Sequence, residues 1–295
     1  MTLRAKANSG QIIAVSGAST GIGAATARAL AERGFHVLAG VRREEDAAAI
    51  RAANIEPIML DIKDGHAVAA LAQRIAADPE RRPLRALVNN AGLQINAPVE
   101  TLPLAVWRRL FDVNLFGHVA MVQALLPALI EGRGTIVNIS SIGGKMAMAG
   151  YGPYAATKFA LEAMSDSLRR EVAPLGVKVV VVEPGAVATA MLGRVGDTGE
   201  RVFSDMTAAQ LGRYGKLMRA VVAQAQAAAG GAVPAEEVGR MIADAITSGR
   251  PRARYTVGRQ AAVAAGLTKL LPDRVLDAML ARALKPYVSE DTTPE

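Results

Sequence analysis

The sequence contains no cysteine. That excludes disulfides and thiolate metal sites and fits a reducing compartment, so a cytoplasmic protein is expected. Its three histidines, His36, His66 and His118, stand far apart without metal-ligand spacing, and no metal is expected. Lysine and arginine leave a formal charge of +7, but they are scattered, with no block of like charge and no interleaved aromatics. This argues against nucleic acid as a partner. No apolar run reaches the roughly 20 residues that span a bilayer. The strongest, "VKVVVVEPGAVATAML", is interrupted by Glu183 and Pro184. The N-terminal "MTLRAKANSG" lacks the apolar core of a signal peptide.

What is present is a hydrophobic content of 51%, enough for a sizeable core in 295 residues. Seven short β-rich runs recur at 11–16, 36–41, 56–60, 84–89, 134–139, 177–183 and 253–257. They are continuously apolar rather than alternating, as parallel strands buried on both faces are. Longer helical runs fill the gaps, among them "AATARALAERG", ending on Gly34, and "GPYAATKFALEAMSDSLRREVAPLG". The alternation predicts an α/β fold: a doubly wound, mainly parallel, seven-stranded Rossmann-type sheet with helices on both faces, in a single domain. After Pro184 the alternation lapses into an insertion at about 190–232. A tail at about 259–295 carries apolar residues at helical spacing, broken at Pro272. It is expected to pack on the domain or on a partner subunit, with peripheral membrane contact as the alternative.

The stretch "SGASTGIG", Ser16 to Gly23, lies between the first strand and a helix. That is the setting a phosphate-binding turn requires. Gly17 can take a backbone conformation that a β-carbon resists. Gly21 admits a pyrophosphate, and Gly23 lets the helix approach the strand. The helix N-terminus offers free N–H groups to an anion. The spacing is G-x-x-x-G-x-G rather than G-x-G-x-x-G, so the turn alone is weak.

Further segments change its weight. "NNAG" (89–92) follows the fourth strand, "NISS" (138–141) ends the fifth, "YAATK" (154–158) opens a long helix, and "PG" (184–185) follows the sixth strand. Together, over about residues 10 to 258, these resemble the short-chain dehydrogenase/reductase family. Ser16 stands where that family usually has threonine, and keeps the hydroxyl. The resemblance implies the catalytic set Asn114, Ser141, Tyr154 and Lys158. Ser141 would hydrogen-bond the substrate oxygen, and Ser140 is the neighbouring alternative. Asn114, in "FDVNLFG", would hold a water near the lysine and complete a proton relay. The implied cofactor contacts are Gly17, Ser19, Thr20, Gly21, Ile22 and Gly23 in the turn; Arg42 and Arg43; Asp61 and Ile62, with Asp61 at the adenine; Asn90, Ala91 and Gly92; Tyr154 and Lys158; and Pro184, Gly185, Val187 and Thr189. Lys158 would also hold the nicotinamide ribose, and Thr189 the carboxamide.

Tyr154 and Lys158 are one helical turn apart on one face. A free phenol titrates near 10. A cation beside it favours the phenolate, so the lysine is expected to lower that value and let the pair exchange a proton with an alcohol or carbonyl oxygen. Tyr151, three residues earlier, has no lysine four positions on and is read as a pocket or loop residue. "REED" (43–46) reads as helix-dipole complementation, not a metal site.

An NAD-binding domain usually places an acid about 20 residues past the turn, on the ribose hydroxyls. Here Val41 holds that position and Arg42 and Arg43 follow. A guanidinium grips a 2′-phosphate, so NADP(H) is the expected cofactor, held chiefly by Arg42. The insertion carries Met191, Leu192, Val195, Val202, Phe203, Met206, Leu211, Tyr214, Leu217 and Met218, with Met146 and Met148 on the catalytic loop. This reads as an apolar lid hinged at Gly193, Gly196 and Gly199. With "RARYTVGRQ" (252–260) and the leucine-rich tail it resembles the retinol- and hydroxysteroid-dehydrogenase-like branch. The expected activity is oxidoreduction of a bulky hydrophobic carbonyl or alcohol, steroid- or retinoid-like in size. A reductase of fatty-acyl or small aromatic carbonyls and a non-catalytic NADP sensor are the alternatives. The helices at 103–131 and 152–173 match those through which family members form homodimers or homotetramers.

Overall fold

The computed structural model describes residues 10–288. The stretch read for a signal peptide and the last seven residues of the tail lie outside the described residues, apart from Gly10. β1 (Ile12–Val15) leads through the glycine turn into α1 (Gly21–Ala31), then β2 (His36–Val41), α2 (Glu44–Ile50), β3 (Ile55–Met59), α3 (Gly65–Ala76) and β4 (Leu84–Asn89). α4 (Leu104–Phe111) passes through one π-helical turn, Asp112–Phe116, into α5 (Gly117–Glu131). β5 (Thr135–Ile139), α6 (Gly152–Val172) and β6 (Lys178–Pro184) follow. Then come β7 (Val187–Ala188), α7 (Ala190–Gly193), α8 (Val195–Ser204), α9 (Ala208–Ala229), β8 (Val233–Pro234), α10 (Ala235–Thr247), β9 (Arg254–Val257), α11 (Arg259–Leu270) and α12 (Asp273–Leu284).

Seven strands form one parallel sheet in the order β3-β2-β1-β4-β5-β6-β9, each within a residue of its expected place. The continuous apolar pattern has a direct cause. Along β1, Ile13 and Val15 enter one buried cluster with α1 and α10, while Ile12 and Ala14 enter another with α3, α5 and α6. Both faces of β1 are covered, so neither alternate row of its side chains reaches solvent. α10 presses on α1 so closely that a β-carbon at Gly239 would lie 2.6 Å from the Ala25 carbonyl carbon. Strand order reverses between β1 and β4, which opens a crevice at the carboxyl ends of these strands.

The run Leu104–Glu131 is long and apolar enough to cross a membrane by length and composition. In the structure Met121, Leu125 and Leu129 of this run pack into the cluster against the sheet, and Leu110 is buried, while Leu104 and Phe116 are exposed.

The insertion is helical. α8 and α9 pack together around a small core of Ala97, Val202, Met206 and Met218. A β-carbon at Gly199 would lie 2.6 Å from Val222 Cγ2. Gly196 and Gly199 therefore sit inside α8 and permit close helix contact, which corrects the hinge expectation for these two. α9 opens on a capping box, with Thr207 and Gln210 satisfying each other's backbone N–H groups. β7 and β8 pair in parallel through Val187–Val233 and Ala188–Pro234, joining the two ends of the insertion. In the tail, Pro272 caps α12, and every α12 residue stays at least partly exposed.

Candidate active site

A cavity of ≈ 370 Å³ runs along the crevice from the glycine turn to the start of α6. Its floor is set by backbone sterics. Gly17 has φ +64° and Gly21 has φ +56°, a region that costs other residues energy. A β-carbon at Gly17 would lie 2.8 Å from Ala91 Cα, and one at Gly21 2.9 Å from Thr189 Cγ2. At Gly23 it would lie 2.3 Å from the Gly17 carbonyl oxygen and 2.4 Å from Asn90 Nδ2.

Two side chains lock this turn to β4. Ser16 Oγ accepts from the backbone N–H of Asn90 (3.0 Å) and of Ala91 (3.1 Å). Asn90 Nδ2 donates to the carbonyls of Ser16 (3.0 Å) and Gly17 (2.9 Å). The Ser16 hydroxyl thus holds the two loops in register.

Ser19, Thr20, Ile22, Arg42, Asp61, Ile62, Asn90, Ala91, Gly92, Pro184, Gly185, Val187 and Thr189 all line the cavity, with Gly17, Gly21, Ser141, Tyr154 and Lys158. Gly23 does not; it serves the approach of α1 to the turn. Arg43 is not among the lining residues either. Its Nε and Nη2 atoms each donate to Asp46 at 2.9 Å, and this pairing turns it along α2. That corrects the expectation that both arginines face the cofactor; Arg42 alone reaches the cavity. Val41, at the position where an NAD-binding domain carries its acid, is buried.

Ser141 ends the segment after β5 and caps the short turn Ile142–Gly144, accepting from Gly143 N–H at 3.0 Å. α6 carries Tyr154 and Lys158. Lys158 Nζ lies 5.8 Å from the Tyr154 ring centroid and donates to the Ile139 carbonyl at 2.8 Å. Burial pushes the Tyr154 phenol up to about 12; hydrogen bonding to Ser141 opposes this and the nearby Tyr151 phenol adds to it. The expected lowering by the lysine is not what this arrangement gives, because the low-dielectric surroundings dominate. Burial also pulls the Lys158 ammonium down to about 8, against the attraction of Glu162.

Asn114 is fully buried in the π-helical turn and does not line the cavity. Its Oδ1 accepts from Leu93 N–H at 2.8 Å, and its Nδ2 donates to the Leu93 carbonyl (2.8 Å) and to Thr157 Oγ1 (3.0 Å). Thr157 in turn donates to the Tyr154 carbonyl at 2.7 Å. The Asn114 side chain ties the loop after β4 to α6, a use that the expected water-holding role did not include. The π turn that re-aims it is typical of functional sites. His118 is buried, its Nε2 2.8 Å from the Ala91 carbonyl oxygen, and burial pulls its imidazole down to about 3, so it stays neutral. His36 sits 2.8 Å from Glu56.

Of the apolar residues expected over the tyrosine, Met148, Met191, Leu192 and Val195 line the cavity, with Tyr151 beside them. Val202, Met206 and Met218 instead fill the core of the insertion, and Tyr214 donates to Glu100 at 2.7 Å on the surface.

The chain matches the short chain dehydrogenase family over residues 11–200. It belongs to that family. It is 30% identical over 284 residues to an NADPH-dependent 3-dehydrocapnine reductase of Ornithobacterium rhinotracheale, covering 94% of this chain and 98% of that protein. It is 34% identical over 277 residues to mouse retinol dehydrogenase 5, covering 91% and 87%. A short-chain dehydrogenase of Burkholderia cenocepacia solved in complex with NADP superposes with a TM-score of 0.71 at 28% identity, over 93% of this chain and 98% of that one. This family member is an oxidoreductase of the retinol-dehydrogenase-like branch.

Proposed function

We propose that the protein interconverts a bulky apolar carbonyl compound and its alcohol using NADP(H). The observation that carries this reading is the single cavity that joins the glycine turn, Arg42 and Tyr154 to a wall of methionine, leucine and valine. NADP(H) supplies the hydride when bound. The residues present fit it: a cradle that β-carbons at Gly17 and Gly21 would fill, a guanidinium in place of the NAD-type acid, and donors at Thr189 and Lys158. The NADP named for the Burkholderia structure and the NADPH named for the 3-dehydrocapnine reductase support the same choice.

In reduction, Tyr154 donates its proton to the carbonyl oxygen while Ser141 hydrogen-bonds that oxygen as charge develops. A phenol held up to about 12 retains that proton at neutral pH. In oxidation the same phenol acts in reverse, and must first give up the proton that burial holds. Lys158, fixed by the Ile139 carbonyl, stands behind the phenol to orient the cofactor ribose. The apolar wall selects the substrate body by size and excludes water. α4, the π-helical turn after it and α6 expose Leu104, Phe116 and Phe159, apolar surface that supports a homodimer or homotetramer.

The test is NADPH oxidation with paired ketones. A bulky ketone should exceed a two- to four-carbon carbonyl in kcat/KM, and Tyr154→Phe should lose roughly 10²–10⁴-fold in kcat while still binding NADPH. Preference for the small carbonyl would overturn the substrate assignment. Near-normal turnover of Tyr154→Phe would overturn the mechanism.

A further inference from the structure

Directly behind the catalytic residues lies a buried ionic cluster built from four elements. Glu162, one turn beyond Lys158 on α6, and Glu183 on β6 are both buried. Lys145, from the loop that carries Ser141, lies 2.6 Å from Glu162 Oε2 and 3.5 Å from Glu183 Oε1. Arg254 on β9 reaches Glu162 at 3.1 Å, Glu183 at 3.2 Å and Asp166 at 3.0 Å. Thr256 Oγ1 donates to the second Glu183 oxygen at 2.7 Å. The inner layer is balanced, two carboxylates against two cations. Asp166 at its edge is paired again with Arg169, 3.0 Å away.

Such a cluster is a poor way to gain stability, since desolvation offsets most of the attraction between buried ions. Its placement points to another use. The serine loop is pressed onto α6 here: a β-carbon at Gly144 would lie 3.1 Å from both Glu162 Cγ and the Lys158 carbonyl oxygen. Lys145 is the side chain that ties this loop to Glu162, and Glu162 is the carboxylate whose field reaches Lys158.

We propose that Glu162 is a positioning residue for the reaction: through Lys145 it holds the Ser141 loop against the catalytic helix, and from one turn below it supplies the negative charge that Lys158 faces. The inference rests on the catalytic reading of Tyr154, Ser141 and Lys158 given above.

The charged and titratable groups facing Lys158 are few. Tyr154 and Glu162 lie on its own helix and neutral His118 on α5; the Lys145 ammonium on the serine loop is directed to Glu162. Of these, Glu162 opposes the effect of burial on the ammonium. The sign follows: without that charge, Lys158 loses its proton at lower pH.

Three variants test this, with kcat measured against pH under saturating NADPH. Glu162→Gln should move the alkaline limb of the profile to lower pH by about half a unit or more. Glu162→Asp, which keeps the charge, should return the limb to its wild-type place. Lys145→Met should lower kcat roughly ten- to hundredfold by misplacing Ser141, with the limb unmoved and the KM for NADPH within about twofold. A merely structural role would lower activity at every pH without moving the limb. An unmoved limb in Glu162→Gln, or an equal shift in Glu162→Asp, overturns the proposal. Should Glu162→Gln fail to fold by circular dichroism, Lys145→Met decides, and wild-type kcat there overturns it. Tyr154→Phe separates the two readings. If it is inactive and the Glu162→Gln limb is unmoved, only this inference falls; if it is active, the catalytic reading falls first.

Discussion

The floor and the roof of the cavity are made by different rules. In the floor, at Gly17, Gly21 and Gly23, an added β-carbon would come within 3 Å of Ala91 and Gly17 backbone or of the Thr189 and Asn90 side chains. In the roof, α7, α8 and α9 meet through the ends of flexible apolar side chains, and Ala97, Val202, Met206 and Met218 form their core. The floor tolerates one residue type per position. The roof asks only for size and apolarity, which several sequences satisfy. A cavity built this way keeps the shape of its floor fixed while its roof is free to vary.

Substitutions that treat the two regions alike should expose the difference. The largest effect is expected at Gly23→Ala, whose β-carbon meets the Gly17 carbonyl and the Asn90 amide, neither able to yield without opening the turn. NADPH affinity measured by calorimetry should fall by roughly a thousandfold, about 4 kcal/mol; a loss of only a few-fold would show that the floor deforms. Next comes the pair of arginines. Arg42→Ala should raise the KM for NADPH about ten- to hundredfold, the range for a hydrogen bond to a charged group, and leave NADH little affected. Arg43→Ala should change it by less than about twofold, since Arg43 is spent on Asp46. Equal effects would place both guanidiniums on the cofactor. The smallest effect on cofactor binding is expected at Gly199→Ala in the roof, where the added methyl meets Val222, closest at Cγ2. A thermal melt should show about 1–3 kcal/mol of destabilisation from overpacking. The double variant with Val222→Ala should recover most of it. No recovery would mean that the roof, too, is fixed by its backbone.

The same contrast explains what was legible in the sequence. The strands could be read because burial on both faces leaves a continuous apolar signature. The glycine turn could be read because sterics there admit one residue. Ser16 stood out as a retained hydroxyl, but its two backbone N–H partners in the loop after β4 are 74 and 75 residues away and leave no local trace. The ionic cluster is likewise long-range, joining positions 145, 162, 183 and 254. One signal for it was present: Glu183 sits inside "VVVVEP", and a carboxylate in a buried strand demands a cation. The helical roof had a signal too, in the Thr207-x-x-Gln210 box, which the emphasis on glycines and methionines passed over. The Tyr154 phenol was expected to move down because a lysine is a property of the helix. It moves up because burial is a property of the whole fold.

The two-residue pairing of β7 with β8 has a consequence for how such enzymes diversify. Val187 meets Val233, and Val233 N–H donates to the Ala186 carbonyl at 3.0 Å, so the chain entering the insertion is stapled to the chain leaving it. Everything between is a closed loop whose ends are held together. Loop-closure entropy grows only logarithmically, so doubling such a segment adds about 0.6 kcal/mol. The staple makes the roof an exchangeable cassette: its length and sequence can change at slight thermodynamic cost to the sheet that carries the chemistry.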